Sequence, residues 1–422
     1  MVPKGWSESY LGEVVTYKKG YAFNSSLYAE EGIRIVRISD TTRDSIHSDN
    51  PVFIAGGNVE GLEQYSLFEN DIILSTVGSR PHLLDSMVGK AVKVPRSAHN
   101  SLLNQNLVKL IPKKTKITNE YLFSMLKTKE FIQFISNLVR GNANQVSITL
   151  ADLFKYKFIL PSLPEQKKIA QILSTWDKAI SVTEKLLTNS QQQKKALMQQ
   201  LLTGKKRLLD ENGVRFSGEW EKGKFCDMAN IDTGYAFKSK DFTQSDSGIP
   251  IIRMSDFKTG GLDVLGAAKV DRDSVNGLDK FKLRVGDFVF GMSGSLNNYG
   301  RVEKKDLPCY LNQRVGRILA KECANQAFIT YLYLSDSIQQ SILDKAAGAA
   351  QLNISISDLR SMVVYYPCIE EQQKIAAVLS AADTEISTLE KKLACLKDEK
   401  KALMQQLLTG KRRVKVDEAV AV

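Results

Sequence analysis

The dodecamer KKALMQQLLTGK occurs twice, at 194–205 and at 400–411. Twelve identical residues 206 positions apart mean that one helix end is used twice, and a repeat on this scale fixes the architecture before any local reading does. The echo extends along the chain. Trp6 answers Trp220, and GYAF at 20–23 returns at 234–237. GIRIVRISD at 32–40 returns as GIPIIRMSD at 248–256, and NDIILSTVGS at 70–79 as GDFVFGMSGS at 286–295. LNQ at 103–105 returns at 311–313, SITLADL at 147–153 as NISISDL, and PEQKKIAQIL at 164–173 as EEQQKIAAVL at 370–379. The offset drifts from 214 to 216 and then to 208 and 206, as it does when loops of unequal length interrupt one shared framework.

Each half therefore reads as a β-containing domain followed by one long helix. Short β-branched and aromatic runs (IRIVRI, DIILSTV, VKLIP; IPIIRM, DFVFGM, VGRILA) are separated by Gly, Asn and Asp, the pattern of short strands and turns. Residues 119–139 and 325–343 carry apolar side chains at spacings of three and four and are expected to be helical. Two long helices follow. In the second, Ile375, Leu379, Ala382, Ile386, Leu389, Leu393, Leu396, Leu403 and Leu407 keep a four–three alternation with Lys400 in the one polar slot. In the first, the slots hold Ile169, Leu173, Trp176, Ile180, Thr183, Leu187, Ser190, Lys194, Leu197 and Leu201, so polar residues break its middle. Ser162 with Glu165 fits a capping box, and Pro164 suits the first turn. Gly204 and Gly410 suit a left-handed C-terminal cap, with basic residues beyond. A helix over 165–202 is roughly 57 Å long at 1.5 Å per residue. Two such stripes cover each other best as an antiparallel coiled coil. The expected class is α+β: two pseudo-repeated β-rich domains with short helices, separated by two long antiparallel coiled-coil helices.

Catalytic signatures are missing. There is no NPPY-like motif, no Gly-rich loop after a strand, and no GxxxxGK[ST] cradle; the GK pairs follow helices. The three histidines, His47, His82 and His99, have no metal-site spacing. The five cysteines (226, 309, 323, 368, 395) form no CxxC pair, which argues against zinc and against a disulfide framework. No run of about 18 apolar residues is present and the start is not a secretory signal, so a cytoplasmic protein with no membrane association is expected. The net charge of +11 favours an anionic partner. Residues 1–206 carry +9 of it.

These residues together, above all PSLPEQKKIAQIL and ALMQQLLTGK with the Trp-then-GYAF start and the LNQ segment, resemble the specificity subunit of type I restriction–modification systems. The resemblance covers nearly the whole chain. It implies a non-catalytic subunit with two target recognition domains, each reading half of a bipartite site in double-stranded DNA. It implies that the long helices space the domains and dock two adenine-methyltransferase subunits, and that two restriction–translocase subunits can join. S-adenosylmethionine, ATP and Mg then belong to those partners. The expected boundaries are 1–160 and 207–366 for the recognition domains, 161–206 and 367–411 for the spacer helices, and 412–422 for a tail. A methyltransferase specificity subunit without a nuclease partner, and a protein-only coiled-coil scaffold, stay open as alternatives.

If the half-sites differ, residues that differ between the copies are readout candidates. GSRPHLLD faces GSLNNYG, which singles out Ser79, Arg80 and His82 against Ser295, Asn297, Asn298, Tyr299 and Arg301. Arginine suits guanine and asparagine suits adenine in the major groove. Lys18, Lys19, Lys238 and Lys240 flank Tyr21 and Tyr235 and suit phosphates. Arg37 and Arg253, each three before an aspartate, suit either an internal ion pair or a phosphate; Gln105 and Gln313 suit a structural amide or an adenine contact. For partner docking on the helices the candidates are Glu165, Gln166, Leu197 and Leu201, with Glu371, Gln372, Leu403 and Leu407 as counterparts.

Overall fold

The computed structural model describes residues 2–42, 45–80, 87–139, 146–258, 261–293, 298–346 and 354–416. The chain forms two compact units. One joins Met1–Glu184 to Lys392–Val422, and the other is Lys185–Lys391.

In the first unit an antiparallel sheet runs in the order Val15–Lys19, Leu107–Pro112, Ile72–Ser75, Ala91–Lys93. Strand Ile72–Ser75 is buried along its whole length. Side chains alternate across a strand. Ile72 and Leu74 accordingly join the core of Tyr121, Phe131 and Ile169, and Ile73 joins Val36, Val92 and Leu103 on the other face. A strand covered on both faces reads as a continuous apolar run, which is why NDIILSTVGS lacks a polar alternation. Five short strands form a second sheet over Phe23, Ile35, Ile54 and Leu102.

The second unit repeats the plan. Its main sheet runs Ala229–Thr233, Val315–Ala320, Phe288–Gly291, Tyr299–Arg301. Phe288 and Phe290 pack with Phe328 and Tyr333, and Val289 packs with Ile252 and Leu311 on the opposite face. The turn before each buried strand needs a left-handed residue, supplied by Asn70 (φ 71°) in one unit and Gly286 (φ 93°) in the other.

The shared GYAF and LNQ segments lie side by side. Tyr21 N donates to Leu103 O (2.9 Å) and Gln105 N to Tyr21 O (2.7 Å); Tyr235 N donates to Leu311 O (2.9 Å) and Gln313 N to Tyr235 O (3.0 Å). The backbones approach so closely that a Cβ on Gly20 would lie 1.9 Å from Asn104 O, and one on Gly234 2.1 Å from Leu311 O. The Gln105 and Gln313 side chains are exposed; their backbones make this seam.

The predicted helical stretches are each two helices, Asn119–Met125 with Lys129–Leu138 and Gln326–Tyr333 with Asp336–Ala346. The break in the first unit is capped by Thr128, whose hydroxyl accepts from Phe131 N at 3.2 Å. The long helices are Leu163–Leu201 and Ile369–Leu408. Every seam position named from the sequence is buried or half-buried. Within the first unit Glu184 pairs with Lys397 (2.8 Å), Asp177 with Lys400 and Glu165 with Arg413 (2.6 Å), so one helix rises as the other falls. The second unit gives the same sense: Ser190 bonds to Glu385 (3.1 Å), Lys194 to Asp383 (2.5 Å) and Arg207 to Glu371 (2.6 Å). Gly204 (φ 68°) and Gly410 (φ 71°) end the helices as expected. Among the described residues, no helix is long and apolar enough to cross a membrane.

Candidate nucleic-acid interface

The repeated residues build a mount in each unit. At the start of each long helix a buried glutamine holds three backbone groups. Gln166 Oε1 accepts from Thr118 N (2.9 Å), and its Nε2 donates to Lys116 O and Pro161 O (both 2.9 Å). Gln372 Oε1 accepts from Asn325 N (3.0 Å), and its Nε2 donates to Cys323 O (3.4 Å) and Pro367 O (2.9 Å). One residue earlier sits a buried carboxylate. Glu165 takes Arg413 in a two-pronged ion pair (2.8 and 2.6 Å) and accepts from Trp6 Nε1 (3.1 Å) and Ser162 Oγ (3.0 Å). Glu371 takes Arg207 through both of its oxygens (2.7 and 2.6 Å), where Arg413 reaches only Oε1 of Glu165. Arg413 lies over the Trp6 ring and Arg207 over the Trp220 ring, at 5.4 and 6.0 Å. Burial pushes the Glu165 carboxyl up, but its hydrogen bonds from Arg413, Trp6 and Ser162 outweigh that and hold it below its ordinary value.

This geometry gives the proposed docking residues internal work. Glu165, Gln166, Glu371 and Gln372 are buried in these clamps and latches. Leu201 and Leu407 are buried in the two cores, and Leu197 and Leu403 are half-buried against them. The helix ends carry heptad-like stripes because they sink into their own units. The clamp arginines were not singled out from the sequence, yet both copies carry them at one place, in GKKR at 204–207 and GKRR at 410–413.

The positions assigned to DNA fall into three groups. Tyr21 and Tyr235 are exposed (40% and 36%) and lie against Phe23 and Phe237 at 5.0 Å. Lys18 and Lys19 end strand Val15–Lys19; Lys18 is half-buried and Lys19 exposed. Lys238 and Lys240 are exposed around the turn Ser239–Asp241. Arg37 and Arg253 make the internal ion pair: Arg37 Nη2 lies 2.8 Å from buried Asp40, and Arg253 Nε 3.5 Å from buried Asp256. The Asp40 carboxylate raises the Arg37 guanidinium above its ordinary value. Both arginines keep part of their side chains in solvent (29% and 40%).

The divergent loops form the third group. Val77–Gly78 pairs with Val146–Ser147, and half-buried Ser79 and exposed Arg80 leave from that pair. His82, Ser295 and Asn297 lie outside the described residues. Asn298 is half-buried and Arg301 exposed. Tyr299 is half-buried with its ring 6.0 Å from Phe288, and burial raises its phenol. It is a packing residue more than a loop tip. Among the described residues, no group of three or more His, Cys, Asp or Glu is placed to hold a metal ion.

Residues 3–189 and 217–397 match the family described as the type I restriction modification DNA specificity domain. The MjaVIII specificity subunit of Methanocaldococcus jannaschii is 28% identical over 427 residues, spanning 98% of this chain and 94% of that one. The EcoBI specificity subunit of Escherichia coli is 23% identical over 397 residues, spanning 88% and 77%. A crystal structure of a type I system S subunit from M. genitalium shares the fold, with a TM-score of 0.59 and 16% identity over 96% of each chain. Specificity subunits bind DNA and assemble with other subunits, in which the catalysis of these systems resides. With its two matched repeats, the chain belongs to the type I restriction–modification specificity-subunit family, the non-catalytic recognition component of those systems.

Proposed function

We propose that the chain reads a bipartite site in double-stranded DNA, with 1–160 on one half-site and 207–366 on the other. Segments 161–206 and 367–411 act as spacer helices. The observation that carries this reading is that the same glutamine latch and Trp–Glu–Arg clamp occur in both units, beneath surfaces that differ. Matching mounts under different faces suit two copies of one partner and two different DNA sequences. Phosphate contacts at Lys18, Lys19, Tyr21, Lys238, Lys240, Tyr235 and the solvent-facing parts of Arg37 and Arg253 position each domain, and Arg80, Asn298 and Arg301 read bases.

Two adenine-methyltransferase subunits dock on the helices, and two restriction–translocase subunits join them in the cytoplasm. With the clamp residues buried, the docking positions are taken from the exposed members of the duplicated dodecamer, among them Lys195, Ala196 and Gln200, and Lys401, Ala402 and Gln406. A target adenine is flipped into the partner's pocket. The test is a map of methylated adenines in cells expressing this chain with a cognate methyltransferase. A split motif with a constant gap is the expected result, and Arg80→Ala relaxes one half of it. A continuous motif refutes two-domain readout, and no motif refutes DNA recognition.

A further inference from the structure

Both units carry an exposed tyrosine at the same seam, and each packs at a tilt against a second ring brought by a different segment. Tyr21 lies 5.2 Å from Tyr65, and Tyr235 lies 5.6 Å from Phe281. A lysine sits over that second ring in each case, but it comes from a different segment in each unit. In the first unit it is Lys18, from strand Val15–Lys19, 5.3 Å from the Tyr65 centroid. In the second it is Lys280, from the turn Asp279–Phe281, 6.0 Å from the Phe281 centroid.

The exchange is reciprocal. Where the first unit has Lys18 and Lys19, the second has Asp232 and Thr233; where the first has Gln64, Ser66 and Phe68, the second has exposed Lys280, Lys282 and Arg284. The register shows what this does. Lys18 faces Lys109 across the sheet, a like-charge cross-strand pair, whereas Asp232 faces Arg317, an opposite-charge pair. Like charges placed opposite each other cost stability in an empty sheet. Lys109 is neutralised by Asp71 at 2.6 Å, which leaves the Lys18–Lys19 end with uncompensated positive charge. Positive charge is thus conserved beside the tyrosine although no single lysine position is.

We infer that the ring pair with its cations is the phosphate grip of each recognition domain, holding the duplex backbone without reading sequence. The cations are Lys18 and Lys19 in the first domain and Lys280, Lys282 and Arg284 in the second. Lysine supplies a point charge and tyrosine a hydroxyl to phosphate oxygens, contacts that fix register and carry no base information. This inference rests on the DNA-binding reading above.

The test measures how duplex affinity varies with salt for the full chain with its partner subunits, on a random-sequence duplex and on the methylated motif. Each phosphate contact contributes a slope of about −0.9 in log affinity against log salt. The Lys18→Gln/Lys19→Gln variant is expected to flatten the slope by about 2 on both duplexes, so that between 50 and 200 mM salt its affinity falls about tenfold less than that of the unaltered protein. Lys280→Gln/Lys282→Gln does the same from the other domain. Adding Gln64→Lys and Ser66→Lys to the first variant restores the slope, because it moves the charge to where the second domain carries it. An unchanged slope, or a loss confined to the motif duplex, overturns the grip. A parent protein with no salt-dependent DNA affinity overturns the reading beneath it.

Discussion

The two clamps are copies, yet removing their arginines should hurt the protein unequally. Arg207 is 19% exposed against a Glu371 that is fully buried, whereas Arg413 is 41% exposed against Glu165. Removing one partner of a buried ion pair costs about 3–5 kcal/mol, since the other charge stays buried alone. Arg207→Ala approaches that limit. Among the described residues Trp220 Nε1 has no hydrogen-bond partner, and Cys368 stands where the other copy has Ser162, so neither aids Glu371 as Trp6 and Ser162 aid Glu165. Arg413→Ala starts from a more solvated pair and leaves those two donors in place, so about 1–2 kcal/mol is expected, between the surface and buried limits. Hydrogen exchange read by mass spectrometry on the buried strands Phe288–Gly291 and Ile72–Ser75 separates the units. At tenfold per 1.4 kcal/mol, Arg207→Ala should speed exchange of the former roughly a hundred- to a few thousandfold, and Arg413→Ala that of the latter roughly five- to thirtyfold. Equal accelerations, or acceleration in the wrong unit, refute the reasoning.

Three further outcomes follow from the geometry. Gly20→Ala and Gly234→Ala each drive a methyl into a backbone carbonyl, and should destabilise their own unit by about 1–3 kcal/mol or more, visible as a lowered melting transition. Burial, with Asp306 and Asp287 nearby, pushes the Cys309 thiol up to about 12, so in the native protein iodoacetamide should modify exposed Cys323 and Cys368 and spare Cys309. The Glu165 carboxyl is held below its ordinary value when folded; its contribution is therefore present above that value and lost as pH falls through the folded one. Acid titration of stability should be shallower in Glu165→Gln than in the parent, and an identical profile counts against the clamp.

Much of this was legible in the sequence, and what was not has a common cause. The doubled segments gave the repeated plan, the glycine caps and every seam position, because each follows from local pattern; that Lys392–Val422 joins Met1–Glu184 in one unit does not. DIILSTV reads as a short strand, and its burial on both faces appears only in the packing. The Arg207–Glu371 and Arg413–Glu165 pairs span 164 and 248 residues, and no periodicity reports a contact of that range. Glu165 and Gln166 looked like surface polar residues of a helix start; their burial depends on a tryptophan and a loop elsewhere. Lys280, Lys282 and Arg284 escaped notice because comparing the copies residue by residue pairs them with Gln64, Ser66 and Phe68, and only the ring contacts reveal that charge has changed strands.

The first unit is discontinuous: it is completed by Lys392–Val422, whereas the second is a single run of chain. Domains generally fold as units during synthesis, the earliest first. Here the order is inverted. Until the ribosome has made Leu407, Leu408 and Arg413, the core around Trp6, Ile169 and Leu173 lacks part of its cover and Glu165 lacks its cation. The later-made unit can therefore finish before the earlier one. The nascent first domain must wait, with apolar surface open to chaperones and proteases, and a lesion just past the second long helix registers as misfolding of the first domain.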